Sequence, residues 1–410
     1  MNKITLKRIT SKIGSGATPT GGKNAYLGGA YALIRSQNVQ DMCFDYNGLA
    51  YINDNQAHKL DNVEVQPGDI LFNITGDSIC RCCIVPDDIL PARVNQHVAI
   101  IRLQNVNSHY IMYFLQYLKP YLMSICNKGS SRNALTKDDL ENLEVNIVEN
   151  HEKIAILLDS INNKINTNNK IIVNLEKNIQ TIYNYWFLQF DFPDENGRPY
   201  RSAGGKMVWN DELQREIPEG WKEQKLYNIA NMDLISISPK SDCLYTYFSI
   251  PSFDKNLMPE YEKGENINSN KYKVPMNSVL VSKLNPSFQR IWMVGQTNDN
   301  AICSTEFLPF VSKFNHQPYL YSLLSSNVFQ TFMINGSSSS TGSRKRIQPE
   351  ICINFKFPYP ANDRIITKYC TITNPLLNQR LNLINENQQL ASLRDFLLPL
   401  LMNGQVTFKN

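Results

Sequence analysis

No stretch of this 410-residue chain is apolar for long enough to cross a bilayer, and the opening Met1-Asn2-Lys3-Ile4-Thr5-Leu6-Lys7-Arg8 leads into no apolar region. A cytoplasmic protein with no membrane contact is expected. A cysteine framework is missing too. The nine cysteines are odd in number and irregular in spacing, which points to reduced thiols. Cys80, Cys82 and Cys83 cluster around Arg81, but no second pair stands at finger spacing and His97 belongs to no ligand repeat, so no metal is expected. A strong charge of one sign is also absent. Lysine and arginine number 41 against 37 acids, a net +4, so any surface for nucleic acid has to be a local one.

The common catalytic signatures are missing as well. There is no Walker A loop, no His-Glu-x-x-His and no Gly-x-Ser-x-Gly. Gly14-Ser15-Gly16 lacks the third glycine of a dinucleotide fingerprint, and Pro19 blocks an immediate helix. Asn285-Pro286-Ser287-Phe288 approaches the Asn-Pro-Pro-Phe/Tyr signature of amino-methyltransferases, but one proline is replaced and no cofactor-binding glycine loop precedes it. Neither Pro86-Asp87-Asp88 nor Pro193-Asp194-Glu195 carries a nuclease arrangement of acids and lysine.

What the chain does have is a heptad seam. Ile154, Leu158, Ile161, Ile165, Asn168, Ile172, Leu175, Ile179, Ile182 and Trp186 alternate in steps of four and three, and only Asn168 is polar. This predicts a helix about 50 Å long, packed along another helix. A second copy reads Ile365, Tyr369, Ile372, Leu376, Gln379, Leu383, Glu386, Leu390, Leu393, Leu397 and Leu400, with Pro375 expected to kink or offset its first turns. A shift of 212 residues carries Ser131-Arg132 onto Ser343-Arg344, Leu135 onto Ile347 and Ile154 onto Ile366; a shift of 209 carries Leu71 onto Leu280. Two halves are therefore expected, each a globular segment followed by a long helix.

In order, residues 1–148 read as a first mixed α/β globule and 149–190 as the first long helix. Residues 191–221 read as a linker kept ordered by the need to bury Trp209 and Trp221. A second globule follows at 222–358, and the second long helix at 362–402. Strands are expected at Tyr31–Ser36, Ile70–Ile74, Ala92–Leu103, Tyr245–Ile250, Ser278–Lys283 and Ile291–Val294; helices at Tyr110–Ile125 and Leu320–Phe332.

Two loops stand in equivalent places, each ahead of a long helix. The first carries Lys128, Ser130, Ser131 and Arg132, with Lys137 just beyond; the second carries Ser343, Arg344, Lys345 and Arg346. Small and hydroxylic residues let backbone amides approach a phosphate while the cations neutralise it. Further candidates are Ser15 and Thr18 in the early glycine-rich loop, and Arg35, Asn73, Arg81, Asn95 and Gln96 elsewhere in the first half. In the second half they are Lys283, Asn285, Gln289 and Arg290. Arg, Asn and Gln are the types that pair with base edges through two hydrogen bonds.

With these pieces in order, the chain resembles the specificity (S) subunit of type I restriction–modification systems. In the first half the likeness rests on Gly14-Ser15-Gly16-Ala17-Thr18-Pro19, Leu33-Ile34-Arg35-Ser36-Gln37-Asn38-Val39, Pro67-Gly68-Asp69-Ile70-Leu71 and Val94-Asn95-Gln96-His97-Val98. In the second it rests on Ile217-Pro218-Glu219-Gly220-Trp221, Val281-Ser282-Lys283-Leu284-Asn285-Pro286, Ser304-Thr305-Glu306-Phe307 and the tail Leu393 to Gly404. Cys80-Arg81 departs from the Gly-Arg common in such chains.

The resemblance implies an α+β fold: two mixed α/β target-recognition domains separated by two long antiparallel coiled-coil helices, in a pseudo-two-fold internal repeat. It implies a non-catalytic subunit that binds an asymmetric two-part site on double-stranded DNA. It also implies docking of methyltransferase (M) subunits, two per chain, and through them restriction (R) subunits. S-adenosylmethionine, ATP and Mg then belong to partners, with no cofactor on this chain. The helix-pairing seam would use Ile154, Leu158, Ile161, Ile165, Ile172, Leu175 and Ile179 against Leu376, Leu383, Leu390 and Leu397. Two other readings remain at this stage: a self-contained DNA methyltransferase or nuclease, and a coiled-coil assembly protein without a DNA role.

Overall fold

The computed structural model describes residues 2–19, 21, 25–26, 28–126, 134–338, 344–406 and 408. The chain forms two compact units, Met1–Ile165 with Gln389–Asn410, and Asn166–Gln388.

In the first unit, one four-stranded sheet runs Ala50–Ile52, Tyr31–Ile34, Ala92–Val94, Glu64–Val65, with its central pair parallel. A second, fully antiparallel sheet runs Thr10–Ser15, Val98–Leu103, Ile70–Asn73, Cys82–Ile84. Ile70, Leu71, Phe72, Val98, Ala99, Ile100 and Ile101 are all buried, so these strands read as unbroken apolar runs because both faces are covered. The Pro67-Gly68-Asp69 turn turns on Gly68 at φ +80. The Asp69 carboxylate, fully buried, accepts two hydrogen bonds of 2.8 Å from the Arg102 guanidinium and one of 2.8 Å from the Gln66 amide.

The second unit repeats this plan. Ala230–Asn231, Phe307–Ser312, Val279–Ser282 and Ile291–Met293 take the same order as the antiparallel sheet of the first. Ile70 pairs with Ile84 and Val279 with Met293, each 209 residues later. The helix Ser108–Tyr117 has its counterpart in Gln317–Leu324 at the same offset. Past the loops the offset becomes 212, carrying Glu144–Ile147 onto Lys356–Tyr359. The duplication is thus visible in strand register, although few side chains are shared.

Several elements differ from the sequence reading. The Ala92–Leu103 region divides between two sheets, and each expected single helix is a pair: Ser108–Tyr117 with Lys119–Cys126, and Gln317–Leu324 with Asn327–Asn335. In the 191–221 segment Trp221 is buried among Phe187, Phe190 and Phe192, but Trp209 is 60% exposed on the hairpin of Met207–Asn210 and Arg215–Pro218. Trp209 keeps its indole N–H occupied by donating to Asp211 Oδ1 at 2.9 Å, so it needed a partner rather than burial.

The first long helix is His151–Tyr183, continued by a π-helical turn Asn184–Leu188. Ile154, Leu158, Ile161, Leu175 and Ile179 are buried along it, and Ile165 and Ile172 half-buried. The second is Arg364–Met402, which Pro375 does not interrupt. Its buried line is Ile366, Tyr369, Thr373, Leu377, Arg380, Ile384, Leu398 and Leu401, which shares Tyr369 with the seam read from sequence and otherwise falls one residue later. Leu376, Leu383, Leu390 and Leu397 are half-buried flanks, and Ile372 and Leu393 are exposed.

Polar pairs decide this register. Within the second unit, Asn168 Nδ2 donates to Glu386 Oε2 at 2.7 Å and Asn387 Oδ1 at 2.9 Å, and Arg380 meets Glu176 at 3.0 Å. Within the first, Arg394 donates to Asn162 Oδ1 at 2.9 Å. Partner numbers fall along one helix as they rise along the other, so the helices are antiparallel.

Candidate nucleic-acid interface

The two basic loops lie largely outside the described residues: Lys128, Ser130, Ser131, Arg132 and Ser343 all do. Their stumps are described, and each is held by the same backbone clasp. In the first unit Ile74 donates to the His97 carbonyl (3.0 Å) and accepts from Leu135 (2.9 Å), while Thr75 bridges to Ala134. In the second, Lys283 donates to the Glu306 carbonyl (2.8 Å) and accepts from Ile347 (3.1 Å), while Leu284 bridges to Arg346. The offsets are again 209 on the strands and 212 on the loop stump.

The side chains on these clasps differ. In the first unit the Thr75 hydroxyl lies 2.6 Å from His97 Nδ1, Gln96 Nε2 lies 3.1 Å from His97 Nε2, and the Gln96 amide oxygen takes the Thr18 hydroxyl. This is a partly exposed hydrogen-bonding edge built from a hydroxyl, an amide and an imidazole. In the second unit Glu306 stands where His97 stands. It receives Arg346 through Nε (3.1 Å) and Nη2 (2.8 Å), and this pairing raises the Arg346 pKa. Asn285 and Lys345 are joined twice, Asn285 N–H to the Lys345 carbonyl (2.8 Å) and Lys345 N–H to Asn285 Oδ1 (3.1 Å). Arg344 and Lys345 are exposed, and among the described residues neither they nor Lys283 has a recorded ion pair. The second clasp therefore presents net positive charge, with Arg346 serving as its anchor.

The remaining candidates divide by what holds them. Ser15 is exposed at the end of strand Thr10–Ser15. Lys137 is exposed and pairs with Glu141 at 3.3 Å. Gln289 donates to the Ser325 carbonyl at 2.9 Å and is otherwise exposed. Arg35 donates to the Gly48 carbonyl at 2.5 Å and lies over the Tyr26 ring, and Arg81 donates to Gln40 Oε1 at 2.7 Å.

Three candidates turn out to be internal supports rather than free readers. Asn73 is fully buried and donates to the Ser36 and Val39 carbonyls. Asn95 is buried and accepts from the His97 amide at 3.0 Å. Arg290 is held bidentately by Asp254 at 2.7 and 2.8 Å. Sequence could not separate these roles, because the amide that reads adenine is chemically the amide that ties a turn.

Burial pushes the Cys80 and Cys82 thiols up to about 12 and the Cys83 thiol well above its ordinary value. A cavity of about 1660 Å³ lies elsewhere in the second unit. It is lined by amides including Asn374, Asn378, Asn382 and Asn385, and the basic stump takes no part in it.

Residues 5–177 match the family model described as the type I restriction modification DNA specificity domain. The chain is 25% identical over 246 residues to the type I restriction enzyme MjaIX specificity subunit of Methanocaldococcus jannaschii. That match covers 58% of this chain, which spans about half (54%) of the curated relative's length. The crystal structure of a type I restriction–modification S subunit from M. genitalium superposes with a TM-score of 0.58 at 14% identity, covering 97% of this chain and 94% of that one. At that identity the likeness speaks for the fold.

Proposed function

We propose that this chain, whose residues 5–177 match the type I restriction modification DNA specificity domain, is the DNA sequence-recognition subunit of such a system. Each unit reads one part of a two-part site. The long helices keep those parts in fixed register and carry the methyltransferase subunits, through which restriction subunits join. Methyl transfer and cleavage, with S-adenosylmethionine, ATP and Mg, are assigned to those partners, and this chain supplies recognition.

The observation that carries the proposal is the repeated clasp with unlike side chains. Equivalent frames in the two halves suit the two parts of one site. Thr75, Gln96 and His97 in the one, against Lys283, Asn285, Arg344 and Lys345 in the other, suit two different sequences. Cations on the second stump would set register by phosphate contact, leaving base edges to the hydroxyl, amide and imidazole side chains.

Measuring DNA affinity of the assembled chain against salt tests this. Arg344→Glu with Lys345→Glu should weaken binding to all sequences and lower the salt slope by about 2. A slope and affinity equal to wild type would remove the second stump from the interface.

A further inference from the structure

The loop joining strands Val279–Ser282 and Ile291–Met293 includes the Asn285-Pro286-Ser287-Phe288 motif, of which Phe288 has no part in the clasp. It has the same length as its counterpart between Ile70–Asn73 and Cys82–Ile84, and the two begin alike. Ile79 donates to the Gly76 carbonyl at 3.1 Å, and Phe288 to the Asn285 carbonyl at 2.9 Å. Gly76 and Asn285 both hold left-handed backbone, at φ +77 and +47. Beyond this point they diverge. In the first unit Cys80 is left-handed at φ +66 and donates its N–H back to the Asn73 carbonyl at 2.8 Å, and Ile79 is buried. In the second unit Gln289 is not left-handed, and Phe288 is 64% exposed. The same frame thus buries its apolar residue in one half and presents it in the other, so the fold does not require Phe288 to be outside.

Phe288 is also fixed in place. Its ring lies 5.4 Å from the guanidinium of Arg290, which Asp254 grips with two hydrogen bonds. Gln330 and Gln289 tie the loop to the neighbouring helices, through the Ser287 carbonyl and to the Ser325 carbonyl. Two residues of the basic stump close the other side, Lys345 through its bonds to Asn285 and Arg346 through its bridge to Leu284. The loop and the stump beside it carry Lys283, Arg290, Arg344, Lys345 and Arg346, and the acids paired there, Asp254 and Glu306, are both engaged by arginines.

We propose that Phe288 is a specificity-determining residue that touches a thymine methyl group in the major groove of the part of the site read by the second unit. The inference rests on the proposed DNA-reading function. A positively charged setting selects DNA as the occupant by charge complementarity. The C5 methyl of thymine is the apolar group that the major groove offers to such a ring. Insertion between base pairs would need both ring faces free, and Arg290 covers one.

The test uses the full chain assembled with its methyltransferase partner and a duplex carrying its mapped site, with each thymine replaced in turn by deoxyuridine. One replacement should weaken wild-type binding about fivefold, the low end of what recognition of one base pair contributes. Phe288→Ala should bind the intact site about fivefold more weakly, lose nothing further at that replacement, and keep the wild-type salt slope. Phe288 is exposed, so the variant is expected to fold as wild type does. The inference is overturned if Phe288→Ala responds to every deoxyuridine as wild type does. It is overturned equally if the variant impairs assembly with the methyltransferase while the assembled complex binds DNA unchanged, which would make Phe288 a protein contact. A wild-type complex that prefers no sequence would remove the proposed function itself, and this inference with it.

Discussion

Cys80 holds a left-handed backbone, φ +66, a conformation that glycine adopts without strain. A side chain in that conformation costs roughly 1–2 kcal/mol, which here is set against the burial of a small thiol. Cys80→Gly should therefore change stability by less than about 1 kcal/mol, whereas a β-branched Cys80→Val should lower it by about 2 kcal/mol or more. Urea unfolding distinguishes the two, and equal stabilities would contradict the strain argument.

His109 offers a second test at this scale. Its hydrogen bond to Asp159 (2.8 Å) raises its pKa above the ordinary imidazole value, against the opposing effect of burial. The stabilisation is complete below about pH 6.5 and is lost as pH rises through the higher folded value. The thermal midpoint of the first unit should fall across that window in wild type and less so in His109→Gln; parallel pH profiles would contradict it. The departure from the Gly-Arg that the family resemblance leads one to expect pointed to the turn at Cys80-Arg81. His109 gave no such signal, because its partner lies 50 residues away.

At the scale of elements, periodicity alone located both long helices but placed the second seam one residue early. The cause is adjacent apolar pairs, Leu376-Leu377, Leu383-Ile384, Leu397-Leu398 and Leu400-Leu401, which offer two parallel stripes of similar quality. Polar partners choose between them: Arg380 with Glu176, Asn387 with Asn168 and Asn169, Arg394 with Asn162. Such long-range pairs are invisible to a heptad count. A buried polar pair in a seam lowers stability in exchange for a single register. Replacing Asn168 and Asn387 together by leucine should therefore raise the unfolding midpoint by a few degrees while admitting shifted or intermolecular pairings, visible as added species in light scattering. A more stable variant that stays a single species would show that register is fixed elsewhere. The strands were legible where both faces are buried, as in Ile70-Leu71-Phe72, and less so where one apolar region serves two sheets, as at 92–103.

For the molecule as a whole, the repeat was faint in side chains and plain in backbone. Few identities survive the offsets of 209 and 212, yet the strand pairings and the two clasps follow them. The clasps and the loop beside them carry unlike side chains on this shared frame: His97 against Glu306, Thr75 against Leu284, Ile79 against Phe288. Under the proposed function, a duplicated frame with unlike side chains implies a DNA site in two unlike parts. Mapping methylated adenines across the host genome, with and without this chain, tests it most directly. The account predicts one asymmetric two-part motif, separated by a fixed run of unread bases, that vanishes when the chain is removed. A continuous or palindromic motif, or methylation unchanged by its removal, would contradict it.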